Sequence, residues 1–242
     1  MVKKLLDLLL TRGAFLAFCR WKKFSLASFK IAKRLKKLGV FPETIIDIGA
    51  NSGQFSTAVS HVLKPKNLIV IEANPNLYSD LQKNLSHVEK KQILLTGVGN
   101  FDGELPFNFN TDSQVSSFLS LGADRLKAFP ESITLETSNV NITKLDTLTD
   151  KISTQQPILL KIDVQGLERE VIQGGENLLT NVKWVLIETS FAKLYNGEAT
   201  FTEMLDIMKV HGFEFIGPVN FHEDPSRTKI IEMDALFGRL IN

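Results

Sequence analysis

An acid and two glycines surround a short turn that could hold a ligand; in order, the residues are Asp47, Gly49, Ala50, Asn51 and Gly53. The apolar run at residues 45–48 is typical of a buried strand, and Phe55, Val59 and Val62 then repeat at helical spacing. Glycine adopts the backbone angles of a tight turn and lets a ligand approach the main chain closely. The stretch therefore predicts a strand, loop and helix unit that binds a nucleoside-type ligand at the carboxyl end of the strand.

A second carboxylate, Glu72, ends the next apolar run, residues 68–71, and lies nineteen positions after Gly53. An acid at the tip of the second strand can accept hydrogen bonds from the two ribose hydroxyls of an adenosyl group. Dinucleotides and S-adenosylmethionine both carry that group. The acid alone therefore leaves both ligands open.

The composition of the glycine turn separates the two ligands. A dinucleotide site usually has G-x-G-x-x-G, whereas this turn lacks the middle glycine and has Asp47 in front of it. Asp47 would repel a pyrophosphate but suits the ammonium group of a methionine moiety. No G-K-[ST] follows either, so the turn is not a phosphate-binding P-loop. The turn favours S-adenosylmethionine; an ordinary tight turn with an unrelated acid after the next strand is the simpler alternative.

Three further acids follow later strand patterns: Asp163 after residues 158–162, Glu168 five positions on, and Glu188 at the end of residues 183–188. Since carboxyl ends of parallel strands share one edge of a sheet, these acids should meet, and their repulsion should raise at least one pKa. We predict Asp163 as a general base or its orienting partner, and Glu168 as a ligand of acceptor hydroxyls. Glu168 could instead only cap the following helix, and whether the acids bind Mg²⁺ is left open.

The alternation of strand and helix patterns predicts the fold class. We expect an α/β protein with a doubly wound, mostly parallel, seven-stranded sheet, in which the last two strands form an antiparallel edge pair. Residues 101–157 interrupt the alternation and could form a lid that selects the acceptor. Residues 97–100 read as a glycine-bordered turn in which Val98 passes close to the adenine ring. The strands are predicted at residues 45–48, 68–72, 93–95, 158–163, 183–188, 213–216 and 230–237.

Charge divides the chain into two parts. Residues 1–40 contain eleven Lys or Arg and one acid, a net +10, whereas the remainder has 17 basic and 26 acidic residues, a net −9. After Gly13 the pattern predicts a long basic amphipathic helix whose apolar face could pack on the domain or attach to an anionic membrane surface. We predict a helical extension over residues 1–40 and a catalytic domain over 41–242. The apolar face consists of Trp21, Phe24, Ser28, Ile31, Leu35 and Leu38.

Composition indicates the compartment and excludes some functions. A chain of 242 residues with 43% hydrophobic content can close one large core. The single cysteine, Cys19, fits a reducing compartment, and four scattered histidines lack the spacing of a metal site. No apolar stretch approaches the roughly 18 residues of a membrane span. We expect a cytoplasmic protein without a bound metal, with peripheral attachment to the inner membrane surface as an alternative.

Three motifs in this order resemble the FkbM family of S-adenosylmethionine-dependent methyltransferases. They are D-x-G-A-N-x-G-x-F from Asp47 to Phe55, E-A-x-P from Glu72 to Pro75, and K-I-D-V-Q-G-x-E from Lys161 to Glu168. The resemblance covers about residues 41–238. It implies a class I methyltransferase fold of the Rossmann-like type and methyl transfer to a hydroxyl, commonly of a sugar in a glycan, glycolipid or natural product. The cofactor-binding residues expected from the turn and the resemblance are Asp47, Gly49, Ala50, Asn51, Gly53, Phe55, Glu72, Ala73 and Val98.

Two other functions fit part of the sequence. An NAD(P)-dependent oxidoreductase shares the sheet and the ribose-binding acid. A non-catalytic adaptor could use the basic helix on a membrane or a polyanion. Nucleic acid is not an expected partner, because residues 41–242 are acidic and lack the basic groove that phosphate backbones require. The expected partner is a small-molecule or glycan acceptor, and the sequence gives no oligomeric state.

Overall fold

The computed structural model describes residues 2–111, 113, 116–120, 122, 134–192, 194–224, 226 and 228–239. The helices are α1 (Val2–Leu10), α2 (Ala14–Arg20), α3 (Leu26–Lys37), α4 (Gln54–Val62), α5 (Tyr78–Asn84), α6 (Leu145–Thr149), α7 (Glu168–Gln173), α8 (Glu176–Leu179) and α9 (Phe201–Val210). The strands are β1 (Thr44–Ile48), β2 (Asn67–Glu72), β3 (Lys91–Leu95), β4 (Gly97–Gly99), β5 (Gly103–Asn110), β6 (Thr134–Lys144), β7 (Ile158–Ile162), β8 (Val182–Ser190), β9 (Glu214–Glu223) and β10 (Ile230–Gly238).

The main sheet has seven strands in the order β3-β2-β1-β7-β8-β10-β9. The five strands from β3 to β8 pair in parallel, whereas β10 is antiparallel to both β8 and β9. Both the mostly parallel sheet and the antiparallel edge pair were expected from the sequence and are confirmed. The order reverses between β1 and β7, so the carboxyl ends of these two strands frame a crevice.

Alternating side chains of the central strands enter two apolar clusters on opposite faces of the sheet. In β7, Leu160 joins one cluster and Leu159 the other. The first cluster also includes Val171 of α7 and Met204 of α9, and the second includes Val59 of α4. Because helices cover both faces, the parallel strands can be apolar throughout and still remain out of water.

Within the predicted insertion, β5 and β6 join β4 in a second, three-stranded sheet in the order β4-β6-β5, and α6 follows β6. The prediction of a turn over residues 97–100 was wrong, since Gly97–Gly99 is a buried strand that pairs in parallel with β6. Glycine is required at Gly97 because a Cβ there would lie 2.4 Å from the ring of Phe118. Long-range pairing with β6 therefore overrides the local turn signal. The segment 123–133, where part of the predicted lid falls, lies outside the described residues.

The basic N-terminal segment is not one helix, as the pattern suggested, but two helices that are separated at residues 21–25. Ser25 ends the break as the N-cap of α3, since its side chain accepts a hydrogen bond from the Ser28 amide. Ile31 and Leu35 of α3 are buried in the cluster shared with β1 and α4. The apolar face of α3 thus packs on the sheet. Among the described residues, no helix is both long and apolar enough to cross a bilayer.

Trp21 joins this segment to the domain through a column of stacked rings. Its indole lies 4.5 Å from the His61 ring, which in turn lies 4.3 Å from the His87 ring, and both pairs are nearly parallel. Burial lowers the pKa of both histidines, and in His61 the charge of His87 adds to the effect. The folded protein therefore favours neutral imidazoles.

This column predicts how stability depends on pH. Below the ordinary histidine pKa of about 6.5 these two histidines bind more protons in the unfolded chain than in the folded chain, so their contribution to the free energy of unfolding should fall as pH falls from 7.5 towards 5.5. Buried acids with a raised pKa, such as Glu168, act with the opposite sign in this interval but are common to wild type and variant. Urea titrations of the wild type and of the double variant His61→Gln/His87→Gln therefore measure the effect as the difference between their two pH profiles. His211→Gln, at a histidine outside the column, is the control. An equally steep pH dependence in the double variant would contradict the prediction.

Candidate functional site

A cavity of about 370 Å³ opens at the carboxyl ends of β1, β2, β7 and β8. This volume is within the range of small-molecule sites. The cavity brings together residues that are far apart in the sequence, and it includes every predicted cofactor-binding residue except Gly53 and every predicted catalytic residue except Glu168. The predicted residues that line it are Asp47, Gly49, Ala50, Asn51, Phe55, Glu72, Ala73, Val98, Asp163 and Glu188.

Glu72 holds the glycine turn in place and faces the cavity. One carboxylate oxygen accepts a hydrogen bond from the Asn51 amide at 2.7 Å, and the other accepts from the Asn74 amide at 2.8 Å. Burial raises the pKa of Glu72, while these two amide donors oppose the rise. Backbone amides therefore fix the orientation of Glu72, the last residue of β2, as the binding of a ligand requires.

Gly49 is required for a different reason from the one expected. A Cβ on Gly49 would lie 1.7 Å from the carbonyl oxygen of Asp163, so the absent side chain makes room for the loop after β7 rather than for a ligand. Gly53 has a φ of 84° at the N-cap of α4 and faces Leu81 of α5. Both glycines shape the turn, and Gly53 does so from outside the cavity.

The variant Gly49→Ala tests this contact. The added methyl group would collide with the backbone of Asp163, and the alanine would have to keep the left-handed φ of the glycine. We therefore expect the free energy of unfolding to fall by about 2–5 kcal/mol. Gly39→Ala is the matched control, because Gly39 has a φ of 78° with nothing within 4 Å of the added Cβ. The control should lose only about 1–2 kcal/mol. Denaturant titration of both variants measures the difference, and equal losses would show that the Asp163 contact is unimportant.

Asp47 presents a buried carboxylate oxygen to the cavity. Its Oδ2 accepts a hydrogen bond from Ser56 at 2.6 Å, whereas Oδ1 has no hydrogen-bond partner among the described residues. Burial raises the pKa of Asp47, and the Lys161 ammonium, 3.8 Å from Oδ1, opposes the rise. A buried acceptor without a donor is costly, so the oxygen is suited to a ligand that brings a positively charged donor.

Lys161 is a central residue that the sequence prediction did not include in the site. Parallel pairing of β1 with β7 places it beside Asp47, and its Nζ lies 2.9 Å from Asp163 Oδ2 and 5.3 Å from the centre of the Phe55 ring. Burial lowers the pKa of Lys161, but Asp163, Asp47 and Asp234 together raise it above its usual value. Lys161 therefore stays charged. A lysine inside a five-residue strand that is otherwise apolar was the available signal.

Gln165 links two acids that line the cavity, Asp163 and Glu188. Its Nε2 donates to Asp163 Oδ1 at 2.9 Å and to Glu188 Oε2 at 2.6 Å, while its Oε1 accepts from the Tyr195 hydroxyl at 2.5 Å. The hydroxyl fixes the amide so that its NH₂ group faces both carboxyls. Gln165 was quoted in the motif but not predicted as a site residue.

The two linked acids have opposite pKa shifts. Burial raises the pKa of Asp163, but the charge of Lys161 and the hydrogen bonds with Lys161, Gln165 and Glu188 together outweigh it, and the net shift is downward. Burial raises the pKa of Glu188 well above its usual value, and the charge of Asp163 adds to the rise. Repulsion between the converging acids thus contributes to the raised pKa, as expected, but burial is the larger cause. The two acids titrate as a coupled pair in which Glu188 takes up a proton more readily than Asp163.

Glu168 supports the loop between β7 and α7. Its carboxyl group accepts hydrogen bonds from the amides of Val164 and Gly166, and burial raises its pKa to about 8. It lies in a small polar pocket with Glu198 and Tyr195, outside the main cavity. Glu168 thus supports its own loop from outside the cavity, and its hydrogen bonds go to amides that precede α7 rather than to the first amides of the helix that it was expected to cap. Its predicted role as a ligand of acceptor hydroxyls stays a prediction.

The antiparallel strands β9 and β10 add four residues that the sequence prediction missed. Asn220 Nδ2 donates to Asp234 Oδ2 at 3.1 Å, and His222 Nε2 lies 3.8 Å from Glu188 Oε1. A buried acid in the apolar strand at residues 230–237 was a signal for Asp234. Within the described ranges, no group of three or more His, Cys, Asp or Glu side chains is arranged to hold a metal ion. The four residues that line the cavity are Asn220, His222, Glu232 and Asp234.

Solved structures share this architecture. A structure described as a putative RNA methyltransferase from Pyrococcus horikoshii has a TM-score of 0.52 and 13% identity, covering 93% of this chain and 97% of that chain. A protein of the NADB-Rossmann superfamily from Streptococcus agalactiae has a TM-score of 0.51 and 11% identity, covering 93% and 72%. At these identities the likeness concerns the fold alone. Sheet order and cavity position together define a Rossmann-like, class I methyltransferase fold.

Comparison of the sequence gives the family. The model of the methyltransferase FkbM domain matches residues 47–215, and the chain belongs to this family. The chain is 23% identical over 194 residues to the 2-O-methyltransferase NoeI of Sinorhizobium fredii, covering 75% of this chain and 78% of that protein. It is 25% identical over 147 residues to the hexuronic acid methyltransferase AglP of Haloferax volcanii, covering 60% and 55%.

Family membership confirms the resemblance seen in the three motifs, and the protein is an enzyme of the methyltransferase class. This disfavours the oxidoreductase and the non-catalytic adaptor as alternatives. The matched region begins at Asp47 and includes the glycine turn, Glu72 and the motif around Asp163.

Proposed function

We propose that the protein transfers the methyl group of S-adenosylmethionine to a hydroxyl oxygen of a sugar. The single observation that carries the proposal is that one cavity is lined both by Asp47 and Glu72 and by the linked acids Asp163 and Glu188. The names of two relatives, a 2-O-methyltransferase and a hexuronic acid methyltransferase, support an oxygen of a sugar as the acceptor atom.

Two acids that line the cavity, Asp47 and Glu72, suit the groups of the cofactor that must be bound. Asp47 Oδ1, buried and without a described hydrogen-bond donor, would accept from the methionine ammonium group. Glu72, fixed by the amides of Asn51 and Asn74, would accept from the ribose hydroxyls. Among the residues that line the cavity, six are acidic and only one is a lysine, which favours a cationic sulfonium over an anionic pyrophosphate. We therefore assign S-adenosylmethionine, rather than a nicotinamide dinucleotide, to the cavity.

The bound cofactor supplies an electrophilic methyl group on a positively charged sulfur. A sugar hydroxyl that accepts this methyl group would have to release its proton to a residue of the protein. Asp163 is the group that accepts this proton, because Lys161 keeps it ionised. A positioned base of this kind adds about 10²- to 10⁴-fold to the rate.

Gln165 and Glu188 orient the base. Gln165 holds Asp163 Oδ1 through its NH₂ group, so the carboxylate cannot rotate away from the cavity. The raised pKa of Glu188 favours its uncharged form, which reduces the repulsion of a second negative charge beside Asp163. Most of the remaining rate enhancement comes from holding the hydroxyl in line with the methyl group.

Transfer of an isotope-labelled methyl group from S-adenosylmethionine to a panel of neutral, acidic and amino sugars, free and lipid-linked, tests the proposal. We expect label in an ether-linked methyl group of at least one sugar, located by mass spectrometry. Fluorescence titration with NADH serves as the control for the oxidoreductase alternative and should show no saturable binding. Saturable binding of NADH without binding of S-adenosylmethionine would refute the assignment.

A further inference from the structure

An apolar surface remains exposed on the two N-terminal helices. In α1, Leu6, Leu9 and Leu10 are spaced i, i+3 and i+4, so they share the face opposite the buried Leu8. In α2, the exposed side chains lie opposite the buried Ala14 and Ala17. We call the following residues, each at least 50% exposed, the apolar face: Leu6, Leu9, Leu10, Phe15, Leu16 and Phe18.

Six large apolar side chains within thirteen residues are an unusual concentration for a surface in contact with water. The small cluster beneath them, which includes Leu8, Ala17 and Phe29, is already closed by the helices themselves. Asp7 of α1 is also paired with Lys30 of α3 at 2.6 Å, so the helix pair is anchored to the domain. The side chains of the apolar face are thus exposed in the folded protein and are not part of its core.

Basic residues flank the apolar face. Arg12 lies between α1 and α2, and Arg20 ends α2; both are exposed, and neither forms a salt bridge with any described residue. Residues 1–40 carry a net +10, while the rest of the chain carries −9. An anionic surface would therefore attract this end of the protein and repel the other, which gives the molecule one preferred orientation.

From these observations we propose that the apolar face docks on the surface of an anionic lipid bilayer. The helices α1 and α2 have nine and seven residues, far too short to span a membrane, and would lie in the interface with their apolar side chains among the acyl chains. Phosphatidylglycerol-type headgroups would pair with Arg12 and Arg20.

Docking also bears on the acceptor, and this step rests on the proposed function. The start of α3, which follows the helix pair, lines part of the cavity. The lining residues are its N-cap Ser25 and, within the helix, Ala27, Ser28 and Ile31. A sugar attached to a membrane lipid would thus reach the cavity from the surface to which the protein is bound. We infer that the acceptor is a lipid-linked sugar.

Cosedimentation of the full chain with vesicles tests the docking. We expect binding to phosphatidylcholine vesicles that contain phosphatidylglycerol, weak binding to phosphatidylcholine alone, and release at high salt. Arg12→Gln/Arg20→Gln should weaken the binding roughly 30-fold, at about 1 kcal/mol for each basic residue. Lys90→Gln/Lys209→Gln, which removes two exposed charges elsewhere, is the matched control and should bind as the wild type does.

A second set of variants tests the apolar contribution. Leu9→Gln/Phe15→Gln/Phe18→Gln should weaken vesicle binding by at least about tenfold. Leu135→Gln/Val210→Gln, at two exposed apolar positions outside the helix pair, should not. Equal binding to neutral and anionic vesicles, or equal losses in the control variants, would overturn the proposal. So would a wild-type dimer in analytical ultracentrifugation that the triple variant converts to monomer, because the face would then be an interface between copies.

These experiments distinguish a failure of the docking proposal from a failure of the proposed function. If the variants lose vesicle binding but no sugar accepts a methyl group, docking stands and the function is wrong. If methyl transfer to a lipid-linked sugar in vesicles falls tenfold in the triple variant while the Kd for S-adenosylmethionine is unchanged, both hold. Equal rates of transfer for wild type and triple variant in vesicles would contradict the inference about the acceptor.

Discussion

Replacing Asp163 with asparagine should lower kcat by about 10²- to 10⁴-fold and leave the Kd for S-adenosylmethionine within about threefold of the wild-type value. The amide is the same size as the carboxylate and can still accept a hydrogen bond from Lys161, but it cannot take the proton of the acceptor hydroxyl. Calorimetry gives the Kd, and transfer of labelled methyl to a sugar identified in the panel gives kcat.

The variant must be separated from a general loss of folding, because Asp163 is also the ion-pair partner of a buried lysine. Glu168→Gln is the matched control: it changes a buried carboxyl in the same loop, outside the cavity. Asp163→Asn should lose stability on thermal unfolding, because the buried Lys161 loses a charged partner. Glu168→Gln should not, because the pKa of about 8 shows that the uncharged form of this carboxyl is already favoured. Only Asp163→Asn should lose kcat by two orders of magnitude or more. If Asp163→Asn is folded, binds the cofactor and turns over at the wild-type rate, Asp163 is not the base.

The same assignment predicts the pH profile. The pKa of Asp163 lies below its usual value because the charge of Lys161 and the hydrogen bonds around the carboxylate together outweigh the effect of burial. A base with a lowered pKa is ionised through the neutral range and is lost only as pH falls below its folded pKa. We therefore expect kcat/KM to be insensitive to Asp163 between pH 6 and 8 and to decline only at acid pH, with Asp163 and Glu188 titrating as a pair.

The second large effect is expected at Glu72. The variant Glu72→Ala should raise the Kd for S-adenosylmethionine about 10- to 150-fold, since hydrogen bonds to a charged acceptor contribute about 1.5–3 kcal/mol. At saturating cofactor, kcat should change little, because Glu72 binds a part of the donor that does not react. Calorimetric titration of the folded variant measures the loss.

A control is needed because Glu72 also orients the glycine turn through the amides of Asn51 and Asn74. Asn84→Ala provides it: the Asn84 side chain donates to the Ser52 carbonyl in the same turn but lies outside the cavity. If Glu72 binds the ribose directly, Asn84→Ala should weaken cofactor affinity much less than Glu72→Ala. Unaltered affinity in Glu72→Ala, or the same loss in both variants, would remove Glu72 from the binding site.

Local patterns determined which acids stand at the edge of the sheet. An apolar run that ends in Asp47, Glu72, Asp163 or Glu188 predicts a buried strand with a carboxylate at its tip, and parallel strands bring such tips to one edge. The cap after β2 is equally local: the Asn74 side chain accepts from the Asn76 amide at the start of the helical segment that follows, and Pro75 lies at the first position of that segment. The uneven distribution of charge between residues 1–40 and the rest of the chain could also be read from the sequence alone.

Pairings between distant segments were decided only by the tertiary structure. Asp47 and Lys161 are 114 positions apart, and register between β1 and β7 makes them neighbours. Pairing with β6 turned Gly97–Gly99 from an expected turn into a strand, and β10 brought Asp234 into the cavity. Glu168 faces its own loop because the backbone amides of Val164 and Gly166 lie within reach.

The physical reason is that a strand pattern specifies which side chains alternate to a face, but not which other strand will pair with it or in what register. The sequence by itself thus determined the class of fold, the acids at its edge and the basic apolar character of the N-terminal helices. Long-range pairing decided which charges are neutralised, which carboxyl keeps a proton and which one is free to accept one.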